Sequence, residues 1–200
     1  MALINFNLME YIKFISVLSP IFISFSAVLS SFFNQNLKGI VFVLGALMTT
    51  FLGKLISSSL NRKPPQGMDE WCNFFATSGL GVDWSAPGPD AMYLAFTFVY
   101  LVSGMIFHRN YNWFLMSGLL VLLISNGFFR MKMRCVQGVD IGIGYLVGAV
   151  CAIGWYFLMA MFESSAFNNQ VSLTYFNDIG DDGNKCTLTK KKFKCKKISK

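Results

Sequence analysis

The chain has 200 residues, of which 54% are hydrophobic and only 14% charged, and its mean hydropathy is +0.50. That composition leaves too little polar surface for a soluble domain of this size and points to an all-α, polytopic membrane protein. The net charge of +7 does not mark a nucleic-acid binder, because eight of the 17 Lys and Arg residues fall within the last 16 positions.

Residues 1–10 form a weakly charged N-terminal segment that carries Glu10 and lacks a basic leader. The apolar run after it therefore reads as a retained helix and not as a cleaved signal. Crossing the hydrocarbon takes roughly 20 apolar residues. Five runs approach that length: 11–33, 39–60, 91–107, 112–129 and 141–162. The expected architecture is a membrane helix bundle of about five transmembrane helices over residues 11–162. The second run contains Lys54, which is costly in hydrocarbon unless it lies near the interface or faces a polar site. Between the second and third runs lies a polar loop, 61–90, with Trp71, Phe74, Phe75 and Trp84, residue types that favour the membrane interface. The third and fourth runs are joined by His108-Arg109-Asn110-Tyr111, a connection short enough to make them antiparallel neighbours. Residues 163–200 form a polar, lysine-rich tail, expected to be solvated and disordered and able to meet anionic headgroups or a protein partner.

Five crossings would place the 61–90 loop and the 130–140 connection on one face, with the tail on the other. Orientation stays open. The tail lysines favour a cytosolic tail, whereas the charges nearest the membrane (Arg62, Lys63, Arg130, Lys132 and Arg134 against Lys38 and Arg109) favour the reverse. Cys72 and Cys135 share a face, and a non-cytosolic location would permit a disulfide between them; five reduced cysteines are the alternative.

The same face gathers Lys54, Arg62, Lys63, Asp90, Arg130, Lys132, Arg134 and Asp140. Guanidinium and ammonium groups converging at one membrane surface suit a phosphate; basic residues at span ends also simply anchor to headgroups. The order and spacing of these residues resemble the type 2 phosphatidic acid phosphatase superfamily over roughly residues 40–162. The family's first motif is KxxxxxxRP, and GKLISSSLNRKPP supplies Lys54, Arg62, Lys63 and Pro64 with one or two extra residues between. Its second motif is PSGH, and PGPDAMYLAF has Pro87 first and Asp90 in the histidine's place. Its third is SRxxxxxHxxxD, often followed by VxxGxxxG. RMKMRCVQGVDIGIGYLVG supplies Arg130, Val136 where the histidine stands, Asp140, Ile141, Gly144 and Gly148.

The resemblance implies a helical membrane fold in which Lys54, Arg62, Arg130 and Arg134 hold a phosphate, with no cofactor and no metal. It also implies chemistry this chain lacks. In the family the third-motif histidine attacks phosphorus, the aspartate orients it, and the second-motif histidine protonates the leaving oxygen. Val136 has no lone pair, and an ionised Asp90 repels phosphate. The chain's one histidine, His108, lies in the connection on the opposite face, so a two-histidine mechanism is excluded. Cys135, among three cations, remains a conceivable thiolate nucleophile. Three readings follow: a catalytically inactive relative that keeps a phosphate or phospholipid-headgroup pocket, a structural membrane protein that organises a bilayer or binds partners, and a lipid phosphate phosphatase with rewired catalytic residues. Unpaired arginines favour binding, and carboxylates paired to them favour structure. Gly144 and Gly148 are expected to let a neighbouring helix approach closely.

Overall fold

The computed structural model describes residues 8–34, 36–60, 72, 86–109, 111–166, 184–189 and 192–197. Five helices follow one another: α1 (Leu8–Phe33), α2 (Lys38–Leu60), α3 (Pro89–Phe107), α4 (Trp113–Lys132) and α5 (Gly138–Ala166). Each covers one of the apolar runs and extends it by no more than a few residues. Helices α2 to α5 are long and apolar enough to cross a membrane. The expected fifth span is shorter in this respect: α1 is a helix of 26 residues, but its described apolar stretch is Leu18–Phe33. Large hydrophobic side chains such as Phe25, Phe51, Val121, Leu146 and Val150 stand exposed along the helices, as a lipid-facing surface requires.

Local chemistry sets the helix boundaries. Pro89 occupies the first turn of α3, where its missing N–H is no loss. The Asn112 side chain caps α4 by accepting a 3.1 Å hydrogen bond from the Leu115 amide. At its other end α4 closes in a Schellman turn. The Arg134 and Cys135 amides donate 3.0 Å bonds back to the carbonyls of Met131 and Arg130, and Arg134 adopts a left-handed φ of 56°.

The bundle is organised around α3 and α5, its most extensive helix pair. These two run parallel with a constant offset: Gly88 meets Gly144, Met92 meets Gly148, and Tyr100 meets Tyr156. The small residues Gly144, Gly148 and Ala152 recur every fourth position and form one strip along α5. A Cβ on Gly144 would sit 2.8 Å from the Gly88 carbonyl oxygen, and one on Gly148 would collide with the Met92 backbone. The close approach expected from these glycines is thus made by α3. Around that seam Phe42 of α2 joins Tyr93, Phe96, Tyr100 and Tyr156 in an aromatic core, with Phe96 and Tyr100 stacked at 5.7 Å between ring centroids. Polar side chains tie in the outer helices. Trp155 Nε1 donates to the Val41 carbonyl at 3.1 Å, Tyr145 donates to the Leu123 carbonyl at 2.9 Å, and Ser24 and Tyr93 share a 2.6 Å hydrogen bond.

Part of the tail is described. Residues Asn184–Thr189 (β1) and Lys192–Lys197 (β2) pair as an antiparallel hairpin.

The α3–α5 seam makes a specific prediction. Gly148→Leu forces the two backbones apart and should cost about 1–3 kcal/mol or more, read as a lower unfolding midpoint in detergent. Gly142→Leu, on the same helix but with open space around it, should leave the midpoint nearly unchanged.

Candidate functional site

The site lies where the start of α3, the end of α4 and the start of α5 converge. Gly53, near the end of α2, faces Met92 and Pro87 at the same end of the bundle. The stretch leading into α3 is fixed by the Gly88 amide, which donates a 3.1 Å hydrogen bond to the Asp140 carbonyl. This bond joins the segment resembling the second motif to the one resembling the third. Asp90 falls in the first turn of α3, where the helix dipole favours a carboxylate, and Asp140 holds the matching place in α5.

A small pocket opens between these elements. Gly88, Pro89, Asp90 and Ala91 line it from α3, Asn126, Gly127 and Arg130 from α4, and Val136 and Ile141 from the α4–α5 connection and α5. Arg130 is only 8% exposed, and its guanidinium forms an ion pair with the Asp90 carboxylate across the pocket. Arg130 Nε, also buried, makes no hydrogen bond among the described residues, so the guanidinium keeps a donor that Asp90 does not use. The cavity volume is about 10 Å³, close to the roughly 10–15 Å³ that one water molecule needs. A phosphate group does not fit while Asp90 and Arg130 are paired.

The residues singled out in the sequence divide into two groups. Asp90, Arg130 and Val136 line one pocket, and the Asp140 backbone anchors its rim. Lys54 and Arg134 are exposed and do not line it. For Arg134 the cause is local: it is the left-handed residue of the Schellman turn, two residues past the end of α4. Arg62, Lys63, Trp71, Phe74, Phe75 and Trp84 lie outside the described residues. The cation that reaches the pocket finds its carboxylate in Asp90 on α3.

Two residues of this site escaped the sequence reading. Asn126, 2% exposed, and Gly127 sit in the pocket wall. A lone asparagine inside an otherwise apolar span was the available signal, because polar side chains at that depth face the bundle interior.

Cys135 is joined to Cys72 by a disulfide, with Cα atoms 5.3 Å apart. The bond ties the loop between α2 and α3 to the connection that carries Val136, beside the pocket. A disulfide sulfur is not a thiolate, which removes Cys135 as the nucleophile of a rewired phosphatase. His108 is exposed at the far end of α3, about 27 Å from Asp90 along the helix axis, so it cannot serve the pocket.

Comparisons of the chain with protein-family models, with curated proteins and with solved structures found no match. The likeness to lipid phosphatases therefore rests on the motif residues themselves.

The ion pair yields a two-part prediction. Asp90→Asn strands a buried guanidinium and should destabilise the protein by about 3–5 kcal/mol, measured by denaturant titration in mixed micelles. Replacing both partners with apolar residues of similar size, Asp90→Leu with Arg130→Met, should recover most of that loss, because the stranded guanidinium is then gone.

Proposed function

We propose that this is a multi-pass membrane protein with the ancestral layout of a lipid phosphatase and no phosphatase activity, whose anion pocket is closed by its own carboxylate. The observation that carries this reading is the Arg130–Asp90 pair. Asp90 stands where the resemblance puts the general acid, and it is joined to the arginine that the resemblance assigns to phosphate. Val136 stands beside it, where the resemblance puts the attacking imidazole. A carboxylate on the arginine takes the place of the substrate's charge, so the same residue that removes the acid also fills the anion site. The role that fits is structural: Asp90–Arg130 locks α3 to α4 and the disulfide holds Cys72 to the α4–α5 connection, leaving the bundle to work through its lipid-facing surface or its tail. A retained phosphate or headgroup pocket is the second reading. It is favoured by the unused Nε donor of Arg130 and requires Asp90 to be displaced.

The disulfide also bears on orientation. Such bonds persist outside the reducing cytosol, so the pocket face is assigned to the non-cytosolic side. Helix α5 starts on that face and crosses once, so on this reading the tail lies in the cytosol, in agreement with its lysines.

The test is phosphate release from short-chain phosphatidate and from an isoprenyl diphosphate by purified protein in detergent. The wild type should be silent. A Val136→His/Asp90→His double variant, which opens the ion pair and supplies both imidazoles, should gain measurable release if the ancestral layout is intact. Release by the wild type above a denatured-protein control would overturn the inactive reading.

A further inference from the structure

Arg130 carries more donors than Asp90 uses. A guanidinium presents its N–H groups in a fixed planar fork, and the Asp90 carboxylate meets that fork at Nη2. Arg130 Nε is buried and makes no hydrogen bond among the described residues. The residue is 8% exposed, so bulk solvent does not serve this donor. A buried donor without a partner is costly, and nearly all such groups in folded proteins are met by protein atoms or by ordered water.

The cavity that Arg130 lines has the right size and chemistry for water. Its volume of about 10 Å³ is that of roughly one water molecule, which also needs about two to four polar partners. Asp90 and Asn126 line the cavity beside Arg130. The start of α3 adds backbone donors. Gly88 caps this 19-residue helix without a side-chain hydrogen bond, so the first-turn amides of Asp90 and Ala91 have no partner within the helix, and both residues line the cavity. Gly127 completes the wall on α4, where a Cβ would lie 2.4 Å from the Tyr145 hydroxyl. Other occupants fail on stated grounds. A phosphate is too large, a small anion meets the Asp90 charge, a cation meets the guanidinium, and an apolar group leaves Nε unserved. Water accepts from an N–H and donates to a carboxylate, so it satisfies both sides of the pair.

We propose that the cavity is a binding site for one ordered water molecule, which accepts a hydrogen bond from Arg130 Nε, donates to the Asp90 carboxylate and braces the end of α4 against the start of α3. The water completes the ion pair: Nη2 meets Asp90 directly and Nε meets it through the bridge. An anion entering the pocket has to displace the water as well as the carboxylate. The inference rests on the Arg130–Asp90 pair and not on the inactive-phosphatase reading, so a silent Val136→His/Asp90→His variant leaves it standing.

The experiment fills the cavity with a methylene group, which is close to water in size and cannot hydrogen-bond. Val136→Ile is introduced into the full-length wild type and into the Asp90→Leu/Arg130→Met protein, which lacks both polar partners, and thermal unfolding is followed in detergent. In the wild type the methylene expels the water and strands Arg130 Nε, so the midpoint should fall by about 2–4 °C. In the apolar background it fills a dry space, and the midpoint should hold or rise. A wild-type midpoint that rises or does not move would show a dry cavity and overturn the proposal. An equal fall in both proteins would show a wall with no room for a group of this size and would overturn it too. A second measurement uses the wild type alone: the Arg130 Nε–H resonance, assigned by its loss in Arg130→Lys, should show a nuclear Overhauser contact to water. A solvent-protected Nε–H with no such contact would contradict the bridge.

Discussion

A guanidinium buried among apolar helix ends must have a counter-charge within hydrogen-bond reach, because removing it from water uncompensated costs several kcal/mol. Arg130 is in that position, and Asp90 is the carboxylate that meets it. The rest of the pocket end follows from this pairing. The start of α3 must be held where Asp90 can cross to α4, and the hydrogen bond from Gly88 to the Asp140 carbonyl does so. Helices α3 and α5 must lie close enough for that bond to form, and the strip of Gly144 and Gly148 permits the approach. Arg130 in turn precedes the Schellman turn that delivers Cys135 to its disulfide and Val136 to the pocket wall. Ion pair, backbone bond and helix seam are therefore successive consequences of bringing three helix ends together.

This arrangement separates two properties that a phosphatase site combines. Holding an anion needs donors with fixed geometry, and Arg130 retains these. Reacting with it needs a nucleophile and an acid, and on the proposed reading the positions that would supply them carry Val136 and Asp90. On the proposed reading, a carboxylate in the acid's place does more than remove a proton donor, since its charge would compete with substrate for the same arginine. The pocket has room for about one water molecule while the two are paired.

Much of this was legible in the sequence because membrane solvation leaves few choices. Apolar runs bounded by Pro89, Asn112 and Gly138 had to be helices, and Gly144 and Gly148 at a four-residue interval had to meet a neighbour's backbone. Asp90, Arg130 and Val136 were recognisable from their spacing against a motif. Arg134 does not line the pocket, and spacing alone does not reveal that the helix ends two residues earlier and passes into a left-handed turn there. Asn126 was overlooked because one polar residue in an apolar span has no spacing partner. The paired strands of the tail were hidden by their lysines, whose density suggests a solvated coil.

Anion rescue is the sharpest test of whether Asp90 occupies an anion site on Arg130. Thermal unfolding of the wild type and of Asp90→Ala would be followed in detergent with increasing inorganic phosphate, with chloride at matched ionic strength as the control. If Asp90 fills the site, the variant should start less stable and regain stability with phosphate but not with chloride, while the wild type stays unresponsive. A variant that phosphate does not rescue, or a wild type stabilised by phosphate to the same extent, would contradict the claim.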